Sequence, residues 1–392
     1  MINGEKRITA PLRWGMIGGG RTSNVGYKHR SGALRDNTAF QLLASAFDIN
    51  AERGRDFGVN LGMDPARCYS DYKALIAGEA KRPDGVQVVT IATPNSTHYE
   101  ICKAALEADL HVICEKPLFF EVEQGKEIIA LAEKKKKIVG VTYGYSGHTM
   151  ILQMRAMVQN GDLGEIRMLE LQYTHGFNST DESEKNSEGQ KWRVDPKIAG
   201  PSFVLGDLST HSYYISRLVC PHLHIEKLLC DRHSFIKSRA PLEDNAYVLM
   251  HYNNGAVGRL WTSSVNAGCM DGHRIRIIGS KASIEFSDQQ PNEILYEVQG
   301  QPNQKMIRGM PYLYDECLAD ERLGALHTEG LPEAWANIYL KFAIAIDAAD
   351  RNDTITLDNL VYPDLKAGVE GIRWIQNCVR SANAGSTWVD FQ

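Results

Sequence analysis

The chain has 392 residues, is 43% hydrophobic and 23% charged, and carries a formal net charge of −5. That length suits two domains rather than one core, and the charge offers no cationic excess for a phosphate backbone, so nucleic acid is not an expected partner. No apolar run approaches the ~20 residues that cross a bilayer, and no membrane partner is expected; the N-terminus lacks an apolar signal core, which places the protein in the cytoplasm.

Up to residue 144 the sequence alternates short apolar runs with helical patterns. Strands are predicted over 12–17, 40–47, 86–92, 111–114 and 138–142, and helices over 99–108 and 122–135. Runs that are apolar throughout suit strands buried on both faces of a parallel sheet, and their alternation with helices predicts a doubly wound α/β domain over 1–144. The pattern then changes. A helix over 150–159 is followed by a strand over 166–173, a polar loop over 180–190, and β-rich stretches at 228–232, 246–252, 257–264, 274–278 and 283–286. Asn253-Asn254-Gly255 is a hairpin turn signal between two of them. With helices over 334–350 and 365–384, residues 145–392 read as an α+β domain on a large, mostly antiparallel open sheet. Such a sheet, covered by helices on one face, leaves the other to meet a second copy, so a homodimer or homotetramer is expected. The eight cysteines are scattered and read as reduced thiols, and no Cys/His cluster has zinc spacing, so no metal is expected.

The first strand ends in Gly18-Gly19-Gly20-Arg21-Thr22-Ser23. Gly18 and Gly20 match the first two positions of the dinucleotide fingerprint, one for the tight turn and one for close approach to a pyrophosphate. Ser23 stands at the third position, and the helix beyond offers unpaired N–H groups to an anion. Asp48, 28 positions after Gly20, ends the second strand, where a carboxylate can bind ribose hydroxyls and repel a 2′-phosphate. This favours NAD; Arg21 leaves NADP open.

Thr93-Pro94-Asn95 with His98 follows the third strand, and Glu115-Lys116-Pro117 the fourth. In open α/β sheets ligands bind at such carboxyl ends. Together with the glycine turn, Gly161-Asp162-Leu163-Gly164-Glu165, Asp207 with His211, and Gly279-Ser280-Lys281-Ala282-Ser283, these motifs resemble the glucose–fructose oxidoreductase, inositol dehydrogenase and MocA (Gfo/Idh/MocA) family over almost the whole chain. The resemblance implies a nicotinamide-dependent dehydrogenase acting on a CH–OH group of a sugar or polyol, with Lys116, Asp207 and His211 catalytic and Lys116 beside the nicotinamide. An imidazole and a carboxylate four residues apart share a helix face, where one can take a proton and the other orient it. Trp192 and Arg193 resemble the family's loop at the cofactor edge. Where many members carry an arginine and a proline after the fifth strand, this chain has Tyr145-Ser146-Gly147-His148; Tyr145, His148, His175 and Asn178 are then substrate-pocket candidates. Two other readings use the same fold: a redox-neutral enzyme with tightly held NAD (epimerisation, elimination or exchange between sugars), and a non-catalytic cofactor-binding sensor.

Overall fold

The computed structural model describes residues 1–181 and 191–392, so most of the polar loop read at 180–190 lies outside the described residues. The chain forms two compact units.

The first unit comprises Gly4–Tyr143 and Trp335–Ile372. Its strands are β1 (Leu12–Gly18), β2 (Phe40–Ala46), β3 (Val88–Ala92), β4 (His111–Cys114) and β5 (Val139–Val141). They pair in parallel in the order β2-β1-β3-β4-β5, the doubly wound arrangement that the sequence predicts. Val88–Ala92 and His111–Cys114 are buried at every residue, as a sheet covered on both faces requires. Helices α1 (Asn24–Leu34), α2 (Ala51–Asn60), α3 (Tyr72–Glu79), α4 (His98–Glu107) and α5 (Val122–Lys135) follow the strands in turn. Side chains of Ser23, Asn50 and Asp71 cap the first three, each accepting a backbone N–H from the first turn. This connectivity brings every motif to one edge: the glycines end β1, Asp48 follows β2, Thr93 follows β3 and Lys116 follows β4.

The sequence reading gives 1–144 to the first domain and everything after it to the second. The structure returns Trp335–Ile372 to the first unit. Tyr339 explains why: its ring packs edge-on to Trp14, His29 and Phe40 in the core of the parallel sheet, with its hydroxyl bonded to two of the unit's polar side chains.

The second unit comprises Met1–Asn3, Gly144–Ala334 and Arg373–Gln392. Its strands are β6 (Ile166–Thr174), β7 (Ile225–His233), β8 (Asn245–Tyr252), β9 (Val257–Ser263), β10 (Arg274–Gly279), β11 (Ala282–Ser287), β12 (Glu293–Val298), β13 (Gln304–Ile307) and β14 (Val389–Asp390). They form one sheet, ordered β13-β12-β11-β10-β6-β9-β8-β7-β14, in which only β6 and β9 pair in parallel. Helices α6 (Thr149–Gln159) and α7 (Thr210–Val219) pack on it, α6 burying Met150, Ile151, Leu152, Met154 and Met157. The opposite face holds the cross-strand rows Met168–Val257–His251, Glu170–Arg259–Leu249 and Gln172–Trp261–Tyr247. Met168, Val257, Leu249 and Tyr247 in these rows are exposed.

Candidate active site

The glycine loop is shaped by steric necessity. Gly18 has φ +75°, and a Cβ there would lie 2.5 Å from the Ala92 carbonyl oxygen; one at Gly20 would lie 2.6 Å from that of Phe47. Ser23 does not serve as the fingerprint's third position. It caps α1, its hydroxyl accepting the Gly26 N–H at 3.2 Å. The residue that lets helix and loop approach is Gly26, where a Cβ would meet the Gly19 carbonyl oxygen at 2.0 Å. The loop is simply longer than the usual fingerprint. Arg21 is also turned elsewhere: its guanidinium pairs with Asp56 of α2 at 2.6 Å and lies over the Phe57 ring. The arginine that touches the loop is Arg30, donating to the Gly19 carbonyl at 2.8 Å. Thr22 is exposed beside Ser23.

Asp48 is held from two sides. Arg53 donates to both of its oxygens, at 2.7 and 2.8 Å, and the Asn50 N–H donates at 2.9 Å. Burial works to raise its pKa, but these bonds outweigh it and hold the carboxyl below its usual range. An ionised carboxylate at the end of β2, with the glycine loop and the start of α1, fits the adenosine and pyrophosphate of a dinucleotide.

His98 joins the two strand-end motifs. It is buried, with Nδ1 3.0 Å from the Pro117 carbonyl oxygen and Nε2 2.9 Å from that of Thr93. Burial lowers its pKa against the pull of those carbonyls. Thr97 Oγ donates to Thr93 Oγ at 2.7 Å, and Pro94 and Asn95 open the short turn into α4. The Lys116–Pro117 peptide is cis, and Lys116 is half-buried between two buried neighbours.

Glu115, expected at the cofactor, is buried instead. Its carboxylate accepts from Thr142 Oγ at 2.6 Å and lies 3.1 Å from His29 Nε2. His29 Nδ1 is 2.7 Å from the Tyr339 hydroxyl, which lies 3.1 Å from Thr90 Oγ; Trp14 Nε1 donates to that same Thr90 oxygen at 2.9 Å. Burial pushes the Glu115 pKa up, but His29, the Lys116 charge and Thr142 together hold it down. Glu115 is thus a fixed anion behind Lys116, placed by side chains from β1, α1, β3 and the returning C-terminal segment.

In the second unit, Asp207 and His211 do not share one regular α-helix as their spacing predicts. Asp207 lies in a π-turn, Leu205–Ser209, and His211 in the first turn of α7. The Ser209 and Thr210 hydroxyls bond back to the carbonyls of Leu205 and Gly206, which accounts for the irregularity. Buried Glu243 anchors the segment from below, accepting from Ser202 Oγ at 2.5 Å and from the N–H groups of Phe203 and Leu205 at 3.1 Å each. Asp207 is ion-paired with Arg193 at 3.4 Å, and the Arg193 guanidinium lies over the Trp192 ring. Trp192 in turn packs against the Ala199, Phe203, Val204, Leu208 and Leu242 cluster. Arg193 and Trp192 therefore hold the catalytic candidate Asp207 in place.

The Tyr145 ring meets His211 edge-on at 4.8 Å, and its hydroxyl is 2.6 Å from that of Tyr173, a residue the sequence reading passed over. His175, at the end of β6, senses both Asp207 and Arg193, though burial is what chiefly lowers its pKa. Asn178 is buried and donates its N–H to the Ser264 carbonyl, while its own carbonyl accepts from Arg239. His148 is buried, with Nε2 2.9 Å from Asp288.

Asp288 also neighbours Asp271. Burial and the Asp288 charge push Asp271 up to about 6, whereas His148 holds Asp288 below the usual range despite its burial. Because the folded value for Asp271 exceeds the unfolded one, its contribution is intact below about pH 4 and is lost as pH rises through about 6. Asp271→Asn removes that loss. Its Tm relative to wild type should rise between pH 4 and 7 and then level off, by on the order of 2 °C after allowance for solvent screening at a half-buried site. A Tm difference that is flat across this range would contradict the assignment.

Residues 12–143 match the family described as "Oxidoreductase family, NAD-binding Rossmann fold", and residues 155–391 match "Oxidoreductase family, C-terminal alpha/beta domain". An uncharacterised oxidoreductase of Bacillus subtilis, YfiI, is 72% identical over 392 residues, 100% of both chains. A crystal structure of an inositol dehydrogenase homologue from Azotobacter vinelandii with NAD+ superposes with a TM-score of 0.98 at 56% identity, covering 100% of both chains. The structure of an inositol dehydrogenase homologue from the same organism with NADH and myo-inositol gives 0.95 at 55% identity, again covering 100% of each.

Proposed function

Since the chain belongs to the Gfo/Idh/MocA family of oxidoreductases, with both of that family's domains present, we propose that its reaction is the NAD-dependent oxidation of a ring hydroxyl on a neutral polyol, myo-inositol being the first candidate. The observation that carries this reading is the chemistry around His211. Tyr145, Tyr173 and His175 offer hydroxyl and imidazole groups, and the charge of Asp207 is matched by Arg193. Such a lining suits a substrate made of hydroxyl groups and leaves Arg193 committed rather than offered to a phosphate or carboxylate. The inositol-bound relative of similar length supports the choice of polyol.

When bound, NAD supplies the hydride acceptor. His211 takes the hydroxyl proton as the carbinol C–H bond breaks, and Asp207, steadied by Arg193, balances the imidazolium that forms. Lys116, at the carboxyl end of β4, offers an ammonium donor to an oxygen that gains carbonyl character, and the ionised Glu115 behind it suits a cationic lysine. The test is a polyol panel followed at 340 nm. NADH formed with myo-inositol or a close ring polyol supports net oxidation; turnover of the polyol with no NADH would favour redox-neutral chemistry instead.

Asp48→Ala is expected to raise the KM for NAD about tenfold, the loss of one charge-assisted pair of hydrogen bonds, and to narrow the preference over NADP. Unchanged kinetics with both cofactors would remove Asp48 from the ribose site. The exposed rows on β6, β8 and β9 form the face through which we place the contact with a second copy. Light scattering should report a dimer or tetramer, and a monomer at working concentration would contradict this.

A further inference from the structure

Four titratable groups of the second unit take no part in the chemistry above: His148, Asp271, His273 and Asp288. They converge on one point. His148 pairs with Asp288 at 2.9 Å, and the Asp288 carboxyl neighbours that of Asp271, each altering the other's hold on a proton. The backbone of His273 is tied to both carboxyl residues, its N–H donating to Asp271 Oδ1 at 3.3 Å and its carbonyl accepting the Asp288 N–H at 3.0 Å.

The His273 ring is wholly buried, and neither of its nitrogens has a hydrogen-bond partner among the described residues. Leaving a buried polar atom unpaired costs roughly 1–3 kcal/mol, so hydrogen bonding does not account for this ring. Its packing does. It stacks on Tyr173 with centroids 4.5 Å apart and planes at 17°, and it meets Tyr145 edge-on at 5.0 Å. The two tyrosine hydroxyls bond each other, and Tyr145 sits edge-on to His211 at 85°. A series of contacts therefore runs from the two carboxyl residues through the His273 backbone, then from the His273 ring through the tyrosines to the proton-accepting imidazole.

We propose that the Asp271–Asp288 pair with His148 is a proton-holding positioning assembly for His211, acting through His273 and the Tyr145–Tyr173 hydroxyl pair. The inference rests on the reading of His211 as proton acceptor and adds to it the groups that set its strength.

Two carboxyls in contact hold one proton between them until the pH is high enough to remove it. Its loss adds one negative charge facing the tyrosines and, beyond them, His211. That charge stabilises an imidazolium, so His211 becomes a better base as the pair ionises. The assembly is faced by Tyr145 from the turn before α6, His148 at the start of α6, Tyr173 from β6, His273 before β10 and Asp288 after β11. Asp207, paired with Arg193, and His211 complete the set. His273 stays neutral throughout, its pKa lowered by burial to about 4.

The test is a ring-carbon NMR titration of protein labelled with [13Cε1]histidine, with the His211 signal identified by its loss in His211→Gln. In wild type the His211 signal should titrate together with the carboxyl pair. In Asp271→Asn the added charge never forms, and the His211 midpoint should move to lower pH by about half a unit. Tyr173→Phe, which deletes only a hydroxyl from a packed ring, should shift the His211 signal and broaden it as Tyr145 loses its tether. A His211 titration identical to wild type in both variants would overturn the proposal, as would a shift in Asp271→Asn toward higher pH. The same samples assayed with NAD and myo-inositol keep the two questions apart. A wild-type protein that forms no NADH would count against the dehydrogenase reading, whereas the NMR titration decides the coupling either way.

Discussion

Lys116→Met is expected to lower kcat for polyol oxidation by about 10³, within the range that one positioned proton donor or acceptor contributes, while the Kd for NADH stays within about threefold. Methionine keeps most of the unbranched stem and removes the ammonium, so the packing between Glu115 and Pro117 is preserved. What is lost is the donor to an oxygen whose charge changes during the reaction. A fixed anion then remains without its neighbour: Glu115, held ionised by His29 and Thr142. His29 is itself held by Tyr339, whose hydroxyl also meets Thr90, so the anion stays in place when the lysine is removed. Stopped-flow hydride transfer and NADH fluorescence separate the two effects. A variant with wild-type kcat would take Lys116 out of the chemistry; one that no longer binds NADH would make its role cofactor binding.

Gly26→Ala should weaken NADH binding far more than Ser23→Ala. A Cβ on residue 26 would sit 2.0 Å from the oxygen, 2.6 Å from the carbon and 2.8 Å from the Cα of Gly19, all backbone, so the loop itself must move. Overpacking of this kind costs about 1–3 kcal/mol, and where the strain falls in the phosphate-binding loop that is about 5- to 150-fold in affinity. The Arg30 bond to the Gly19 carbonyl opposes relaxation. Ser23→Ala loses only a helix cap, typically about 1 kcal/mol of stability, and leaves the loop's path intact. Titration of NADH fluorescence, with Tm as the control for folding, distinguishes them. Equal affinities in the two variants would mean that the close helix–loop contact does not shape the cofactor site.

The difference between those two residues also marks where local sequence stops being informative. The parallel strands are legible because burial on both faces leaves them uniformly apolar, and the strand ends place Asp48, Thr93 and Lys116 without further help. The third glycine is not, because a lengthened loop moves it from position 23 to 26. Strand β13 escapes notice since it is short, half polar and at the sheet's edge. The return of Tyr339 to the first unit, 310 positions from its partner His29, leaves no trace in any local period. Nor does the π-turn at Asp207, which depends on two hydroxyls bonding backwards and on Glu243 from a distant loop. Tyr173 and His273 were within reach. Tyr173 continues the inward parity of Leu169 and Leu171, and His273 that of Ile275 and Ile277; polar rings at the inward ends of strands are a signal of a lined site.

The central claim is that a hydride passes from a polyol ring carbon to the nicotinamide. Incubation with NAD and myo-inositol deuterated at its ring carbons tests it directly, with the reduced cofactor read by NMR. Transfer of one deuterium to C4 of the nicotinamide, with a primary isotope effect on the hydride step, is the predicted result. Reduced cofactor without the label, or consumption of inositol with neither label nor reduction, would contradict it.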